Sequence, residues 1–216
     1  MSTPPCRVAI LISGSGTNLQ SFIDAEARGE SAYTVCHVFS NRADAYGLER
    51  AQRANVPTDA VAHTEFESRD EFDRTVGDIL DAHSPDILVL AGYMRILSAE
   101  FVARYAGRIL NIHPALLPAY PGLDTHQRVL DAGETHHGST VHFVTEELDG
   151  GPPVLQGRLQ IGVNETAGQL MRRVQDIEHR IYPQCTNWFA EGRLEFRHGA
   201  AWLDGKQLRR PVVEDF

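Results

Sequence analysis

Three polar side chains in this sequence have the types needed for carbonyl chemistry. Asn111 and His113 end the segment RILNIH, and Asp149 lies in the segment VTEELDGGPPVLQ. An amide and a protonated imidazole both donate hydrogen bonds, and a nearby carboxylate favours the protonated form of an imidazole. These groups suit a reaction in which a carbonyl oxygen gains negative charge, because two donors stabilise the oxyanion while the carboxylate assists proton movement. The pattern therefore indicates acyl transfer.

A purely structural role is an alternative for the same residues. A histidine followed by proline at the end of a strand is often only hydrogen-bonded within the fold, and ELDGG is also typical of a tight turn. If the residues are catalytic, Asn111 and His113 should point to the same side of their strand, because side chains alternate along a strand.

A second candidate site is the turn in LISGSGTNLQ, Leu11–Gln20, where an apolar run gives way to small and polar residues before a helical pattern. Glycines allow close approach of a ligand, and a helix N-terminus carries roughly +0.5 of an elementary charge, so the turn suits a phosphate group. The alternative is a small-residue turn in which Ser or Thr caps the helix. Leu19 stands where a dinucleotide fingerprint has its third glycine, FSN replaces the acidic residue of that motif, and no P-loop lysine follows. The turn therefore favours a single phosphate.

Apolar, β-branched runs supply the strands that must position these residues. Runs of this kind are typical of strands that are buried on both faces. The predicted strands are Arg7–Ile12, Tyr33–Phe39, Asp86–Ala91, Gly107–Ile112 and Ser139–Val144.

Helical spacing of apolar residues fills the intervals between the strands. Leu19, Phe22, Ile23 and Ala25 predict a helix after the turn. A second helix follows Ser68, which is spaced from Glu71 as in a capping box; its apolar positions are Phe72, Val76, Ile79 and Leu80. A long helix is predicted from about Glu165, with Leu170, Val174, Ile177 and Ile181 on its apolar face and an interruption at Pro183.

Strands that alternate with helices predict an α/β fold: a doubly wound, mostly parallel sheet with a Rossmann-like N-terminal half and helices on both faces. Such sheets bind ligands beyond the carboxyl ends of their strands, where both candidate sites fall. We expect residues 1–216 to form one domain, with an N-terminal phosphate-binding half of about 1–105 and a C-terminal catalytic half of about 106–216.

Composition narrows the classes of partner. The 216 residues are 42% hydrophobic and carry a formal net charge of −9, which disfavours nucleic acid as a partner. The apolar run near the N-terminus is too short for a signal peptide or a membrane span, and three widely spaced cysteines indicate reduced thiols. We expect a cytoplasmic protein that does not bind membranes.

Other histidines raise the possibility of a metal site. His136, His137 and His142 lie close together in sequence, but neither an HExxH motif nor Cys/His spacing accompanies them. We therefore expect solvated or hydrogen-bonded histidines and no metal ion.

Seven segments in the same order give the chain a specific resemblance to the phosphoribosylglycinamide formyltransferases, a family of folate-dependent formyltransferases. The segments are ISGSGTNLQ, VFSNRADAYGLERA, DILVLAGYMRILS, LNIHPALLPAYPG, HGSTVHFVTEELDGGPPVLQ, VQDIEHRIYP and AAWLDG. The resemblance implies transfer of a formyl group from 10-formyltetrahydrofolate to the amine of glycinamide ribonucleotide in purine synthesis, in a monomer or homodimer.

The resemblance also implies roles for individual residues. It makes Asn111, His113 and Asp149 catalytic. It assigns the ribonucleotide to Gly16, Thr17, Asn18, Gln175 and Glu178, and the folate to Arg69, Met94, Arg95, Ile96, Leu97, Thr145, Glu146, Glu147, Leu148 and Asp149. Gln175 and Glu178 are i and i+3 on one helix, where a solvated polar face is the alternative. Ala115 and Ala119 depart from the family pattern, which bears on the rigidity of the loop after His113.

Related activities remain as alternatives. Methionyl-tRNA formyltransferase and formyltetrahydrofolate hydrolase share the Asn-x-His and distal Asp pattern, but both are typically longer. A folate- or nucleotide-binding module without catalysis is a further alternative, although binding alone does not require Asn111, His113 and Asp149 together. The missing dinucleotide fingerprint disfavours a nicotinamide oxidoreductase.

Overall fold

The structure is a computed structural model that describes residues 4–216. These residues belong to two compact units, the first ending at Leu110 and the second spanning Asn111–Phe216. The boundary falls inside the strand Ile109–His113.

The first unit alternates strands and helices. Its elements are β1 (Cys6–Ile12), α1 (Thr17–Ala27), β2 (Tyr33–Ser40), α2 (Tyr46–Arg53), β3 (Thr58–Ala60), α3 (Arg69–Ala82), β4 (Ile87–Leu90) and α4 (Ala99–Arg104), with a 3-10 helix at His63–Glu65. The strand order is β3-β2-β1-β4, and these strands are parallel. Every residue from Val8 to Ile12 has zero exposure, so both faces of β1 are covered.

The second unit combines a sheet with one long helix. Its elements are β5 (Ile109–His113), α5 (Thr125–Asp131), β6 (His136–Phe143), β7 (Pro153–Gln160), α6 (Ala167–Ala190), β8 (Leu194–Arg197), β9 (Ala200–Leu203), β10 (Lys206–Gln207) and β11 (Val212–Asp215). The strand order is β5-β6-β7-β11, in which β6 and β7 are antiparallel and β7 and β11 are parallel. Strands β8, β9 and β10 form a separate antiparallel sheet.

This arrangement confirms the predicted α/β class with mostly parallel strands and a Rossmann-like N-terminal half. The five predicted strands all exist, although the last begins at His136 rather than Ser139. The first residues of β6 are polar or glycine and carry no apolar strand pattern, but they pair with β7 from His136 onward. Within residues 4–216 no helix has the length and apolarity to cross a bilayer. All three cysteines are free thiols.

The helix caps agree in part with the sequence. Ser68 is the N-cap of α3 and its hydroxyl accepts a hydrogen bond from the Glu71 N–H. In a complete capping box the Glu71 carboxylate would accept from the Ser68 N–H. It accepts instead from the N–H of Glu67, so the predicted box is only half formed. A complete capping box starts α6, between Thr166 and Gln169.

The predicted interruption at Pro183 is wrong, because α6 continues without a break to Ala190. A proline inside a helix removes one backbone hydrogen bond and costs roughly 3 kcal/mol. The helix nevertheless buries Ile181, Tyr182, Cys185 and Thr186 around this position. Burial of these side chains on both sides of the proline offsets the lost bond.

Candidate active site

The turn after β1 places a glycine at the N-terminus of α1. Gly16 is the N-cap of α1 and adopts a left-handed conformation, with φ 68°. Gly14 and Ser15 are exposed, Thr17 is half-buried and Asn18 is buried. The alternative in which Ser or Thr caps this helix is therefore wrong, since the capping position belongs to a residue without a side chain.

Asn111 is oriented by His142, one of the histidines expected from the sequence to be solvated or hydrogen-bonded. The Asn111 Nδ2 lies 3.1 Å from His142 Nε2, while His142 Nδ1 lies 2.9 Å from the carbonyl oxygen of Phe143. Burial lowers the pKa of His142 to about 4, so its ring is neutral near pH 7. The single N–H of the neutral ring donates to the carbonyl, and Nε2 accepts from the Asn111 amide. This pairing directs the nitrogen end of the amide.

His113 and Asp149 are brought together as predicted. His113 Nδ1 lies 3.4 Å from Asp149 Oδ2, and both side chains are less than one-tenth exposed. His113 Nε2 lies 2.9 Å from the carbonyl oxygen of Tyr120. Both ring nitrogens therefore face oxygen acceptors.

Asp149 also connects the remaining parts of this cluster. Its Oδ2 accepts a hydrogen bond of 2.9 Å from the Gly122 N–H, and its Oδ1 lies 3.9 Å from His142 Nε2. One carboxylate therefore contacts two imidazoles and the loop that follows β5. We call Asn111, His113, His142 and Asp149 the β5–β6 cluster.

Close backbone packing holds the loop that carries Asp149. Asp149 itself has a positive φ of 52°, which aspartate tolerates better than most residues. A Cβ on Gly151 would lie 1.9 Å from the carbonyl oxygen of Phe143, so glycine is required there. The segment ELDGG is thus a tight turn, which was the structural alternative considered from the sequence. The same turn places the Asp149 carboxylate in the cluster.

The loop after His113 is anchored although Ala115 and Ala119 depart from the family pattern. The Thr140 hydroxyl donates to the Ala115 carbonyl at 2.6 Å and accepts from the Leu117 N–H at 3.1 Å. Gln156 Nε2 donates to the Leu117 carbonyl at 2.7 Å. Side chains from β6 and β7 therefore hold this loop.

Glu178 is buried, which contradicts a solvated face for this part of α6. The Ser139 hydroxyl lies 2.9 Å from Glu178 Oε1 and 2.8 Å from the backbone oxygen of His113. Gln175 is half-buried on the same helix. Of these two predicted ribonucleotide residues, Glu178 is therefore linked to the end of β5.

The segment Met94–Leu97 is anchored at both ends and exposes apolar side chains. The Met94 N–H donates to Ser13 Oγ at 2.8 Å, and the Ser98 N–H donates to Asp73 Oδ2 at 2.6 Å. Met94 is 71% exposed and Ile96 is 57% exposed. Fixed backbone with exposed apolar side chains is typical of a surface that binds an apolar ligand.

The two arginines assigned to folate lie near a buried carboxylate. Arg95 stacks on the ring of Phe72 at 4.7 Å, and Arg69 is half-exposed at the start of α3. Burial raises the pKa of Asp73, and the charges of Arg95 and Arg69 oppose this effect. Contact of either arginine with folate carboxylates stays a prediction.

In the second unit, the other folate segment is exposed around Leu148. Thr145 is half-buried, Glu146 and Glu147 are exposed, and Leu148 is 57% exposed. Their role toward folate also stays a prediction.

One histidine cluster in residues 4–216 has the composition of a metal site, and it involves none of the three histidines considered from sequence. His37, Asp59 and His83 bring their donor atoms within 4.8 Å of one another. The rings of His37 and His83 stack 3.9 Å apart at 15°, so their lone pairs are nearly parallel and do not converge on one ion. Asp59 Oδ2 instead lies 2.9 Å from His37 Nε2 as a hydrogen-bond partner. That the reaction uses no metal ion stays a prediction.

The geometry of Gly16 predicts a strict requirement for glycine. A Cβ at Gly16 would lie 2.6 Å from the Cα of Gly47, and the positive φ adds its own cost. Gly16→Ala should lower the free energy of unfolding in urea by at least about 2 kcal/mol. Gly14→Ala is the matched control, because its Cβ would meet no atom within 4 Å. Equal stability of the two variants would contradict this account.

The low pKa of His142 predicts a stability change in acid. The unfolded chain protonates this imidazole below its ordinary value of 6.5, whereas the folded ring stays neutral until about pH 4. The folded state therefore loses up to about 3 kcal/mol as pH falls across that range. Urea unfolding of His142→Gln should show a weaker pH dependence than the wild type. His136→Gln, at an exposed position, should retain the wild-type dependence, and an unchanged slope in both variants would exclude this role for His142.

Comparisons with known proteins identify the family of this chain. The model of the family described as formyl transferase matches residues 6–186. The phosphoribosylglycinamide formyltransferase of Escherichia coli is 51% identical over 202 residues, which cover 94% of this chain and 95% of that protein.

Solved structures show the same likeness. The phosphoribosylglycinamide formyltransferase of Coxiella burnetii superposes with a TM-score of 0.93 at 48% identity, covering 97% of this chain and 99% of that one. A formyltetrahydrofolate deformylase of Pseudomonas syringae has a TM-score of 0.86 at 23% identity, covering 93% of this chain and 66% of that one, and shares the fold alone. The resemblance found in the sequence is thus confirmed, and the chain belongs to the formyl transferase family.

Proposed function

We propose that this protein transfers a formyl group from 10-formyltetrahydrofolate to the amine of glycinamide ribonucleotide, a step of purine synthesis. The observation that carries the proposal is the buried β5–β6 cluster, in which an oriented amide and an imidazole paired with a carboxylate lie at the end of one strand. Two proteins named for this activity are about 50% identical to this chain in alignments that cover nearly all of it.

The cluster supplies the groups that the reaction needs. The neutral substrate amine attacks the formyl carbon, forming a carbon–nitrogen bond and placing negative charge on the formyl oxygen. Asn111 Nδ2 donates to that oxygen, in the orientation set by His142. His113 donates through Nε2, exchanging the Tyr120 carbonyl for the formyl oxygen.

Proton movement completes the transfer. The attacking amine loses a proton, the bond between the formyl carbon and N10 of the folate breaks, and N10 gains a proton. Asp149, 3.4 Å from His113 Nδ1, stabilises the protonated imidazole and assists this exchange. The reaction requires neither a covalent enzyme intermediate nor a metal ion.

The proposed substrate contacts are those that the family resemblance implies. Gly16, Thr17 and Asn18 bind the phosphate at the N-terminus of α1, where the helix dipole favours an anion. Gln175 and Glu178 bind the ribose or glycinamide end. The segment Met94–Leu97 and the segment Thr145–Asp149 bind the folate, with Arg69 and Arg95 near its glutamate carboxylates.

The wider setting is also a proposal. Residues 1–216 serve as one formyltransferase domain, and the protein acts in the cytoplasm as a monomer or homodimer. Its partners are the two small molecules, not nucleic acid or a membrane.

An absorbance assay separates this function from its rivals. The purified protein is mixed with a 10-formylfolate, with and without glycinamide ribonucleotide, and loss of the formyl group is followed. We expect loss only when the ribonucleotide is present. Loss without the amine would favour a formyltetrahydrofolate hydrolase, and no loss in either mixture would favour a binding module.

The role given to Asn111 predicts a specific kinetic change. Asn111→Ala removes an oxyanion donor, so turnover should fall roughly 100- to 1000-fold while KM for the ribonucleotide stays near the wild-type value. Gln127→Ala, which removes an exposed amide on α5, is the matched control and should retain activity. Near-normal turnover of Asn111→Ala would refute the oxyanion role.

A further inference from the structure

We propose that α2 sets the direction of the backbone amides in the turn Gly14–Thr17, through Gly47 and Arg50, and so determines how tightly the turn binds a phosphate. This inference rests on the proposed function of the turn. It makes Gly47 and Arg50 positioning residues, because they act through the backbone of Gly14, Ser15 and Gly16.

Three consecutive carbonyls of the turn have fixed partners. The Gly14 carbonyl accepts from the Gly47 N–H at 3.0 Å, and the Ser15 carbonyl accepts from Arg50 Nε at 2.8 Å. The Gly16 carbonyl accepts from the Gln20 N–H at 3.0 Å, inside α1. Helix α2 therefore holds the first two carbonyls, and α1 holds the third.

The planarity of the peptide unit converts these contacts into amide directions. In a trans peptide the C=O of one residue and the N–H of the next point in opposite directions. The N–H groups of Ser15 and Gly16 therefore point away from α2, and the N–H of Thr17 points out of the N-terminal end of α1. Consecutive amides that project from a turn in this way form an anion-binding nest.

Arg50 is itself held in place. Its Nη1 donates to Gln20 Oε1 at 3.1 Å, and its guanidinium lies 5.0 Å from the ring centroid of Tyr46. One planar side chain thus connects the Ser15 carbonyl to the first turns of α1. A lysine offers a single ammonium group and lacks the rigid fork of donors that makes both contacts.

Gly47 permits the close approach that these contacts require. A Cβ at Gly47 would lie 2.4 Å from Ile12 Cδ1, 3.1 Å from the Gly16 Cα and 3.3 Å from the Gly14 oxygen. A side chain at this position would therefore require Ile12, the Gly16 Cα or the Gly14 carbonyl to shift, which disturbs the contact between α2 and the turn.

Arg50→Ala tests the inference, with Arg53→Ala as the matched control. Arg53 lies on the same helix, carries the same charge and stacks on the same Tyr46 ring at 5.6 Å, but it pairs with Glu49 and the Tyr46 hydroxyl. Arg50→Ala should raise KM for glycinamide ribonucleotide about 10- to 100-fold, the effect of weakening hydrogen bonds to a charged group. The kcat of Arg50→Ala and its KM for the folate should stay within about twofold of the wild-type values. The kcat and both KM values of Arg53→Ala should also stay within about twofold.

Two further measurements distinguish positioning from a general structural role. With the dephosphorylated riboside as substrate, Arg50→Ala should change kcat/KM by no more than about twofold, because the loss passes through the phosphate. Arg50→Lys should recover part of the lost affinity, since one donor remains. Equal losses with both substrates, or equal effects of Arg50→Ala and Arg53→Ala, would overturn the inference.

Inorganic phosphate provides a test that does not need turnover. We expect titration with phosphate to shift the NMR amide resonances of Ser15, Gly16 and Thr17 in the wild type and in Arg53→Ala, and to shift them far less in Arg50→Ala. This pattern in a protein without transfer activity would refute the proposed function and retain the role of α2. Phosphate shifts that are the same in Arg50→Ala and the wild type, or absent from the wild type, would overturn the role of α2.

Discussion

The carboxylate of Asp149 is the contact on which the β5–β6 cluster depends. It is almost completely buried, and it faces His113 Nδ1 and the Gly122 N–H. A buried charge requires such partners, because an unpaired carboxylate in this environment would cost several kcal/mol. These two contacts make the buried carboxylate tolerable and connect His113 to the loop after β5, while Oδ1 lies 3.9 Å from His142 Nε2.

The two histidines around Asp149 have different hydrogen-bonding environments. Burial lowers the pKa of His142, whose Nδ1 is committed to a carbonyl, so Nε2 is left as an acceptor for Asn111. His113 instead faces an oxygen at each ring nitrogen. Side chains of one chemical type thus have different hydrogen-bonding environments because their neighbours differ.

Long, continuous apolar patterns predicted the fold well. The strands Arg7–Ile12, Tyr33–Phe39 and Asp86–Ala91 each lie within two residues of an observed strand, because parallel strands buried on both faces need uninterrupted apolar side chains. The short strands Thr58–Ala60 and Lys206–Gln207 were missed, since two or three residues carry no periodic signal. Pro183 misled the prediction for α6, because local propensity takes no account of the side chains buried around it.

The residue types alone predicted the class of chemistry, which membership of the formyl transferase family confirms, whereas the roles of the individual residues stay predictions. An amide and an imidazole two positions apart at a strand end, together with a distal aspartate, indicate oxyanion chemistry before any coordinates exist. Only the tertiary structure showed that His142 orients Asn111, that Glu178 is buried, and that Gly47 and Arg50 contact the turn Gly14–Thr17. The physical reason is that alternation and helical spacing act over a few residues, whereas these contacts join residues that are 31 or more positions apart or depend on burial.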